Sequence, residues 1–264
     1  MNEMHVRDLF GLHGKTVLIT GASGHLGSAM SRALAEAGAS VVVTSRRRED
    51  AERIAGELPR EGAAKHFGVA LDHMDEGSIA AGFEAGVEKA GQVDVLVANG
   101  HEPLGKDWTN VTADEFTRQL QNATGYFLLA RHLRNHVVAR QTEGAVVLVG
   151  SMYGVVGSYP PVYESLSTAS PAAYHALKGG IVHLTRHLAV TWAPDRVRVN
   201  CLSPGPFPSE KAPQELCARL CEKSPMKRMG RPDELKGAIV FLSSAASSYM
   251  TGQNLLIDGG WTAW

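Results

Sequence analysis

Tyr174 and Lys178 stand four residues apart in the segment SPAAYHALKGG, residues 170–180. Side chains at positions i and i+4 of an α-helix lie on one face, so the phenol and the ammonium can share one small volume. A nearby cation favours the phenolate and lowers the tyrosine pKa from its usual value of about 10, as a general acid/base near neutral pH requires. A solvated pair on an exposed helical turn is the alternative, and the spacing by itself does not decide between the two.

The local sequence predicts that this pair lies near the start of a helix. Ser170 is a suitable N-cap and Pro171 suits the first helical position, and apolar residues continue at helical spacing as far as Trp192. We therefore predict a helix over 172–192, with both functional groups in its first two turns.

Seven short apolar runs alternate along the chain with longer segments of helical period. Their uninterrupted Val, Ile and Leu content is typical of parallel strands that helices cover on both faces. The sequence therefore predicts an α/β fold, a single-domain Rossmann fold over 1–264 with a doubly wound, parallel, seven-stranded sheet and with 1–13 as an N-terminal extension. The predicted strands are TVLIT (16–20), SVVVTS (40–45), KHFGVAL (65–71), VDVLVA (93–98), AVVLVG (145–150), VRVNCL (197–202) and NLLID (254–258).

Two long connections, 154–170 and 203–225, follow predicted strands. Ligands of open α/β sheets bind beyond the carboxyl ends of the strands. We therefore expect both connections to lie over the active site as loops or a lid.

The charge composition is balanced, with 26 Lys and Arg against 27 Asp and Glu and a formal net charge of -1. No basic field favours nucleic acid or an anionic membrane, so we expect small-molecule partners. The chain has no run of eighteen apolar residues, and its first residues lack the apolar core of a secretion signal, so we expect a cytoplasmic location. The three cysteines, Cys217 and Cys221 among them, favour small buried side chains over a disulfide framework or a metal site, so no metal is expected.

The first predicted strand leads directly into TGASGHLG, residues 20–27, and then into a helical segment. Glycines let the chain turn sharply and bring backbone N–H groups close to a pyrophosphate, which the helix N-terminus stabilises. A tight turn without a ligand is the alternative, but strand, glycine triplet, helix and second strand in one unit favour dinucleotide binding.

The end of the second strand predicts which dinucleotide binds. An NAD-selective site usually carries Asp or Glu there, whereas this chain has Thr44, Ser45 and Arg46. Hydroxyl groups and a guanidinium suit a 2′-phosphate that a carboxylate would repel. We expect NADP(H) to be preferred, with NAD(H) possible; alternatively, the arginines at 46–48 are only the solvated start of the next helix.

With these elements assembled, the chain resembles the short-chain dehydrogenase/reductase family from Gly14 to its end. The resemblance implies a catalytic tetrad in which Tyr174 exchanges a proton with the substrate oxygen and Ser151 hydrogen-bonds that oxygen. Lys178 would lower the tyrosine pKa and hold the nicotinamide ribose, and Asn122 would support a water relay. The motifs that carry the resemblance are the glycine turn, LD (71–72), QNATGYF (121–127), VGSMYG (149–154), YHALK (174–178), RVNCLSPG (198–205), GRPDE (230–234) and TGQNLLIDGG (251–260).

The resemblance also implies how the cofactor is bound and how chains associate. Family members often associate through the helix that carries the tyrosine, and the small residues beside Tyr174 allow close approach. An apolar C-terminus that would otherwise expose Trp261 and Trp264 further favours a homo-oligomer, a homotetramer or a homodimer. The implied cofactor residues are Gly21, Ser23, Gly24, His25, Leu26, Gly27, Ser45, Arg46, Leu71, Asp72, Asn99, Gly100, Tyr174, Lys178, Pro204, Gly205, Phe207 and Ser209.

Three features depart from the usual family pattern. His25 replaces the middle glycine of most single-domain members, a spacing commoner in a larger sugar-nucleotide-modifying branch whose added domain has no room here. The motif after the fourth strand, usually NNAG, reads ANGH over 98–101. The connection from Ser151 to Tyr174 is longer than usual, which should enlarge the lid.

Polar residues near the predicted mouth of the site suit a hydroxyl-rich substrate. We name His101, Tyr153 and Tyr163 as candidate substrate residues, the alternative being that they are solvated on the rim. The insertion and the C-terminal WTAW are similar to bacterial oxidoreductases of unusual sugar biosynthesis and, more loosely, to gluconate 5-dehydrogenases.

The sequence therefore predicts an NADP(H)-dependent oxidoreductase that interconverts a ketone and a secondary alcohol. Its substrate would be polar, hydroxylated or sugar-like, and Tyr174 would be the general acid/base. The alternatives are a non-catalytic nicotinamide-binding sensor or scaffold, and an isomerase or dehydratase that uses the nicotinamide transiently.

Overall fold

A computed structural model describes residues 3–166 and 170–264, and in this part of the chain seven strands form one parallel sheet. The strand order is β3-β2-β1-β4-β5-β6-β7, and every neighbouring pair runs parallel. The predicted doubly wound sheet is confirmed, because each predicted run coincides with a strand to within two residues at either end. The strands are β1 (Thr16–Ile19), β2 (Ser40–Ser45), β3 (His66–Ala70), β4 (Val95–Ala98), β5 (Gly144–Val149), β6 (Val197–Pro204) and β7 (Asn254–Ile257).

Helices cover both faces of the sheet, because successive side chains along each strand point to opposite sides. In β1, Leu18 packs into the core under α4, α5 and α7, whereas Val17 and Ile19 pack into the core under α2, α3 and α9. The α-helices are α1 (Val6–Phe10), α2 (His25–Glu36), α3 (Arg48–Glu57), α4 (Glu76–Ala90), α5 (Ala113–Ala139), α6 (Pro160–Tyr163), α7 (Ala172–Trp192), α8 (Gln214–Lys223) and α9 (Lys236–Ser243).

The strand order reverses between β1 and β4, which opens a crevice beyond their carboxyl ends. Thr20 joins the two strand ends, since its N–H donates to the Val97 carbonyl at 3.1 Å. Its Oγ1 accepts from the N–H groups of Asn99 and Gly100 at 3.0 and 2.8 Å. The glycine turn and the ANGH segment are thereby held side by side at the crevice.

Helix α7 has the predicted bounds, but its N-terminus is capped differently from our expectation. Pro171, with φ -62 and ψ 136, is the capping residue, and no side chain caps the helix. The predicted cap, Ser170, instead places its Oγ 3.1 Å from Nε2 of His175. The prediction of Ser170 as N-cap is therefore wrong, because the extended conformation of Pro171 starts the helix one residue later.

The two predicted active-site connections contain short helices that pack on each other. Helix α6 lies in the 154–170 insertion, α8 lies in 203–225, and the two are in contact. Residues 167–169 of the insertion lie outside the described residues. Of the two C-terminal tryptophans, Trp264 is 70% exposed, but Trp261 is only 2% exposed, so the expectation that both need a partner chain for cover is wrong for Trp261.

Within the described ranges, no helix combines the length and the apolar content needed to cross a membrane.

Candidate active site

The glycine turn is held in a form that only glycine fits. Gly21 has φ +67, and a Cβ on it would lie 2.8 Å from Nδ2 of Asn99 and 2.9 Å from Cα of Gly100. A Cβ on Gly27, in the first turn of α2, would collide with the carbonyl oxygen of Gly21. Nδ2 of Asn99 donates to the carbonyls of Thr20 and Gly21, both at 3.1 Å. The backbone can therefore come close to a ligand at the N-terminus of α2.

A cavity of about 470 Å³ opens beyond this turn. Residues from the ends of β1, β2, β3 and β4 line it, so the crevice can receive an extended ligand such as a dinucleotide, and the residues present fit one. The predicted cofactor residues that line this cavity are Gly21, Ser23, Ser45, Arg46, Leu71, Asp72 and Gly100.

The remaining predicted cofactor residues lie at the edges of this cavity or away from it. Gly24, His25, Leu26 and Gly27 form the end of the turn and the start of α2, with Gly24 as its N-cap. Phe207 lines a separate cavity of about 260 Å³ and packs against Gly230. Others lie at or beyond the ends of β4 and β6: Asn99, Pro204, Gly205 and Ser209.

The polar groups at the end of β2 are not equivalent. Thr44 is buried, and its Oγ1 donates to the Ile19 carbonyl at 3.2 Å, so its hydroxyl proton is already used within the fold. Our expectation that Thr44 offers a donor to a 2′-phosphate is therefore wrong. Arg46 is exposed at the cavity rim, whereas Arg47 pairs with Asp50 at 2.5 Å. Ser45 and Arg46 are the better-placed phosphate ligands.

The predicted catalytic groups Ser151, Tyr174 and Lys178 come together beyond the end of β5. Nζ of Lys178 donates to the Val149 carbonyl at 2.8 Å and lies 5.6 Å from the ring centroid of Tyr174. It also lies 5.8 Å from the ring centroid of Tyr126. Burial lowers the pKa of Lys178 to about 8, because an ammonium charge is costly inside the protein. The pKa of this side chain therefore lies close to neutral pH.

The pKa of Tyr174 differs from the expectation drawn from the sequence. Burial raises it above the usual value, and the hydrogen bond with Ser151 lowers it by less than burial raises it. The expectation that the neighbouring ammonium places this pKa below 10 is wrong for the protein alone, because desolvation of the phenolate is the larger effect. The Ser151 hydroxyl nevertheless lies close enough to the phenol to influence its pKa.

Asn122 is buried in α5 and its amide orientation is fixed by hydrogen bonds. Its Nδ2 donates to the Gln119 carbonyl at 2.9 Å, so its Oδ1 is the acceptor for the Glu102 N–H at 2.8 Å. Nε2 of His73 lies 2.9 Å from the same Oδ1 and must therefore carry a proton. His73 was not predicted from the sequence, although it directly follows the LD motif at the end of β3.

His101 lies beside the catalytic tyrosine. Its ring meets that of Tyr174 edge-on, with 5.5 Å between centroids, and its Nε2 lies 3.4 Å from Nε2 of Gln119. Burial, with smaller contributions from the charges of Lys178 and His73, lowers the pKa of His101 to about 3, so the imidazole is neutral at physiological pH. Gln119, which is buried, was not predicted. It lies one helical turn before Asn122, and this spacing could have identified it from the sequence.

Tyr153 and Tyr163 join the end of β5 to the insertion. Their Oη atoms lie 2.5 Å apart, and Tyr153 stacks on His175 with 4.7 Å between centroids. Burial raises the pKa of both phenols, so both remain neutral donors at physiological pH. The alternative that these two residues are solvated on the rim is therefore wrong for Tyr153, which is 8% exposed.

The insertion is anchored to the second connection by apolar and polar contacts. Tyr159 packs against Trp261 with 5.5 Å between ring centroids, in a cluster that also holds Val162 and Leu220. Nη1 of Arg219, on α8, donates to the carbonyl of Glu164 at 2.8 Å just beyond the end of α6. These contacts hold the insertion next to Tyr174, which packs against the same cluster.

Comparison with known proteins agrees with this geometry. The family model described as enoyl-(acyl carrier protein) reductase, of the adh_short_C2 type, matches residues 21–262. The NADP-dependent mannitol dehydrogenase of Alternaria alternata is 34% identical over 97% of this chain and 95% of its own length. The galactitol 2-dehydrogenase (L-tagatose-forming) of Cereibacter sphaeroides is 36% identical over 99% of this chain and 100% of its own length.

A solved structure is also similar over nearly the whole chain. The crystal structure of a gluconate 5-dehydrogenase from Burkholderia cenocepacia J2315, in complex with NADP and tartrate, has a TM-score of 0.86 and 30% sequence identity. The match covers 98% of this chain and 100% of that one.

Proposed function

Because this chain belongs to the short-chain dehydrogenase/reductase family, we propose that it is an NADP(H)-dependent oxidoreductase interconverting a ketone and a secondary alcohol. One observation carries the proposal: Ser151, Tyr174 and Lys178 converge beyond the end of β5, with Nζ of Lys178 5.6 Å from the ring centroid of Tyr174 and with His101 joining them to the cofactor crevice. The substrate is polar and hydroxylated, as the names of the relatives suggest.

A nicotinamide cofactor, when bound, accepts or supplies the hydride. Tyr174 then exchanges a proton through its Oη with the substrate oxygen, and Ser151 hydrogen-bonds that oxygen and holds it in reach. The positive charge of Lys178 stabilises the phenolate form of Tyr174 when the alcohol is oxidised. Hydrogen bonds with Gln119, Glu102 and His73 hold Asn122 on the α5 side of the site. There Asn122 supports the water that resupplies the proton to Tyr174.

The cofactor preference rests on local charge at the end of β2. Ser45 and Arg46 line the crevice where an NAD-selective site carries a carboxylate, and Arg46 has no carboxylate partner among the described residues. A 2′-phosphate there meets a hydroxyl and a guanidinium. The NADP-dependent mannitol dehydrogenase and the NADP-bound gluconate 5-dehydrogenase support this preference.

The relatives favour ketone and alcohol chemistry over reduction of a carbon–carbon double bond. The matching family model is described by an enoyl reductase, whereas the full-length relatives are named for polyol and sugar-acid chemistry. These relatives match nearly the whole of this chain and at least 95% of their own length, so their chemistry is the better guide to the substrate.

We also propose that the protein is a homo-oligomer. Val190 on α7 is 79% exposed, and a cavity of about 710 Å³ lies between α7 and the sheet-edge strand β7. An exposed apolar side chain beside the edge strand of the sheet is the kind of surface that association covers.

The test is net oxidation of NADPH, followed by absorbance, with a panel of ketones and ketoses. We expect stoichiometric loss of NADPH with at least one hydroxylated ketone. Binding of NADPH without turnover by any ketone would favour the sensor or scaffold, and conversion of a sugar without net NADPH loss would favour the isomerase or dehydratase.

A further inference from the structure

Apart from the buried Lys178 ammonium, the side chains around Tyr174 are polar but uncharged. Ser151 lies beside this phenol, and the neutral ring of His101 packs against it with 5.5 Å between ring centroids. Tyr163, whose hydroxyl meets that of Tyr153, packs on the same cluster as Tyr174. A substrate that approaches the phenol therefore meets hydroxyl and imidazole groups that can hydrogen-bond its own hydroxyls.

Two arginines on the surrounding elements are already bound within the fold. Arg118, on α5, binds both carboxylate oxygens of Glu102, with Nε at 2.5 Å and Nη2 at 3.0 Å. Arg219, on α8, pairs with Glu215 at 2.8 Å and donates to the Glu164 carbonyl at 2.8 Å. Each guanidinium already pairs with a carboxylate of the same chain, so neither offers an uncompensated charge to a substrate carboxylate.

The lysines near the site are also poorly placed for a substrate anion. Lys178 is buried and bound to the Val149 carbonyl, and Lys223 lies 5.4 Å from the ring centroid of Tyr159. Lys106, on the segment after β4, pairs with Glu115 at 3.9 Å, whereas Lys211 is exposed on the segment after β6, so Lys211 is the cation that the experiment addresses. Residues 167–169 of the insertion, which lie outside the described residues, are Ser, Thr and Ala and carry no charge.

We propose that the substrate is an uncharged polyol or ketose rather than a sugar acid, and that His101 hydrogen-bonds one of its hydroxyls. This inference rests on the proposed function and narrows its substrate class. A carboxylate entering this site would lose hydration and meet only the Lys178 ammonium, which is buried and bound to the Val149 carbonyl, whereas hydroxyls exchange water for protein hydrogen bonds.

Gln119 supports the role of His101. With the amide nitrogen of Gln119 facing Nε2 of His101 at 3.4 Å, Nε2 is the acceptor and the imidazole proton lies on Nδ1. His101 also lines the cofactor crevice, so it stands at the junction of the crevice and the substrate side. The relatives themselves include both classes, since the mannitol and galactitol enzymes are named for uncharged polyols and the gluconate enzyme for a sugar acid.

The test uses pairs of open-chain substrates that differ only in replacement of a terminal CH2OH by a carboxylate. The pairs are D-mannitol and D-mannonate, galactitol and D-galactonate, and D-glucitol and D-gluconate, each assayed by reduction of NADP⁺ at one pH and ionic strength. We expect kcat/KM for the polyol to exceed that for the acid by roughly tenfold or more in each pair that reacts. An acid that reacts as well as its polyol overturns the inference.

Failure of the inference can be separated from failure of the proposed function. If other secondary alcohols or ketones react but no polyol does, the substrate class is wrong and the oxidoreductase proposal stands. If no alcohol reduces NADP⁺ and no ketone oxidises NADPH, both proposals fail.

Variants of His101 then test whether this side chain recognises the polyol. His101→Ala should lower kcat/KM for the preferred polyol roughly three- to hundredfold through a lost hydrogen bond, and His101→Gln, which keeps a neutral donor, should restore part of it. Circular dichroism and the midpoint of urea unfolding, compared with the wild type, show that both variants are folded. A polyol kcat/KM within about twofold of wild type in His101→Ala overturns its role.

Lys211→Met is the matched control for charge. We expect it to leave the ratio of polyol to acid kcat/KM unchanged. A ratio that rises because the acid loses its activity would show that Lys211 binds a substrate carboxylate, and that result also overturns the inference.

Discussion

The cofactor side and the substrate side of this site are built in different ways. The cofactor side is made mainly of backbone, with Gly21 at positive φ and Asn99 and Thr20 bound to main-chain groups at 3.1 Å or less. The substrate side is made of side chains from distant segments, such as Tyr163 from the insertion and Trp261 from the C-terminus. Substitutions on the first side therefore disturb the fold of the turn, whereas those on the second can change specificity and leave the backbone intact.

The two sides also differ in charge. Arg46 is exposed at the rim of the cofactor crevice, where water and salt weaken its interactions, whereas His101 and Tyr153 are largely removed from water and neutral. Recognition of the cofactor phosphate should depend on ionic strength, and recognition of substrate hydroxyls should depend on it much less.

The largest expected effect lies where the two sides meet. Tyr174→Phe removes the hydroxyl that exchanges the proton and keeps the ring that packs beside His101. We expect kcat to fall roughly a hundred- to ten-thousand-fold, because this is the usual contribution of general acid/base catalysis. The measurement is NADPH-linked turnover together with fluorescence titration of NADPH, whose affinity should be retained. Substantial remaining turnover would show that another group transfers the proton.

A substitution in the backbone-built side should destabilise the protein. Gly21→Ala places a Cβ within 3 Å of Asn99 and Gly100 at φ +67, so we expect roughly 1–3 kcal/mol of lost unfolding free energy and weaker NADPH binding. Gly56→Ala in α3 is the matched control, since no atom lies within 4 Å of its added Cβ, and alanine there should stabilise by about 0.5–1 kcal/mol. Urea unfolding of both variants measures the difference, and equal stabilities would contradict the close packing of the turn.

The sequence predicted the cofactor side better than the substrate side for the same structural reason. Strand runs and the glycine turn are local patterns, so the parallel sheet and the placement of Gly21 and Gly100 could be read from them. Contacts between distant segments leave no local signal, and the hydrogen bond from His73 to Asn122 and the docking of α6 on α8 were not predicted. The raised pKa of Tyr174 was missed because spacing reports a neighbouring charge but not the extent of burial.

A smaller effect is expected at the phosphate end of the crevice. Arg46→Ala should weaken NADPH binding roughly three- to tenfold, less than a buried charge-assisted hydrogen bond because Arg46 is exposed, and should leave NADH binding almost unchanged. Arg48→Ala is the control, since Arg48 pairs with Glu52 at 2.7 Å and does not line the crevice. Fluorescence titration at two salt concentrations measures both cofactors. Tighter binding of NADH than of NADPH by the wild type would overturn the NADP(H) preference.

A further expected effect is a change in acid stability that arises on the substrate side. Burial, aided by the charges of Lys178 and His73, lowers the pKa of His101 to about 3, so the folded chain leaves it neutral while the unfolded chain protonates it near pH 6.5. Its contribution to stability is present above pH 6.5 and is lost as the pH falls toward 3, by at most about 2 kcal/mol between pH 6.5 and 5.

In His101→Gln the unfolding free energy should therefore fall less between pH 7 and pH 5 than in the wild type, as measured by urea unfolding at both values. His183→Gln, at an exposed position of α7, should retain the wild-type difference. An equal loss in the wild type and His101→Gln would mean that His101 is protonated in the folded chain, and the neutral imidazole on which the substrate inference depends would be absent.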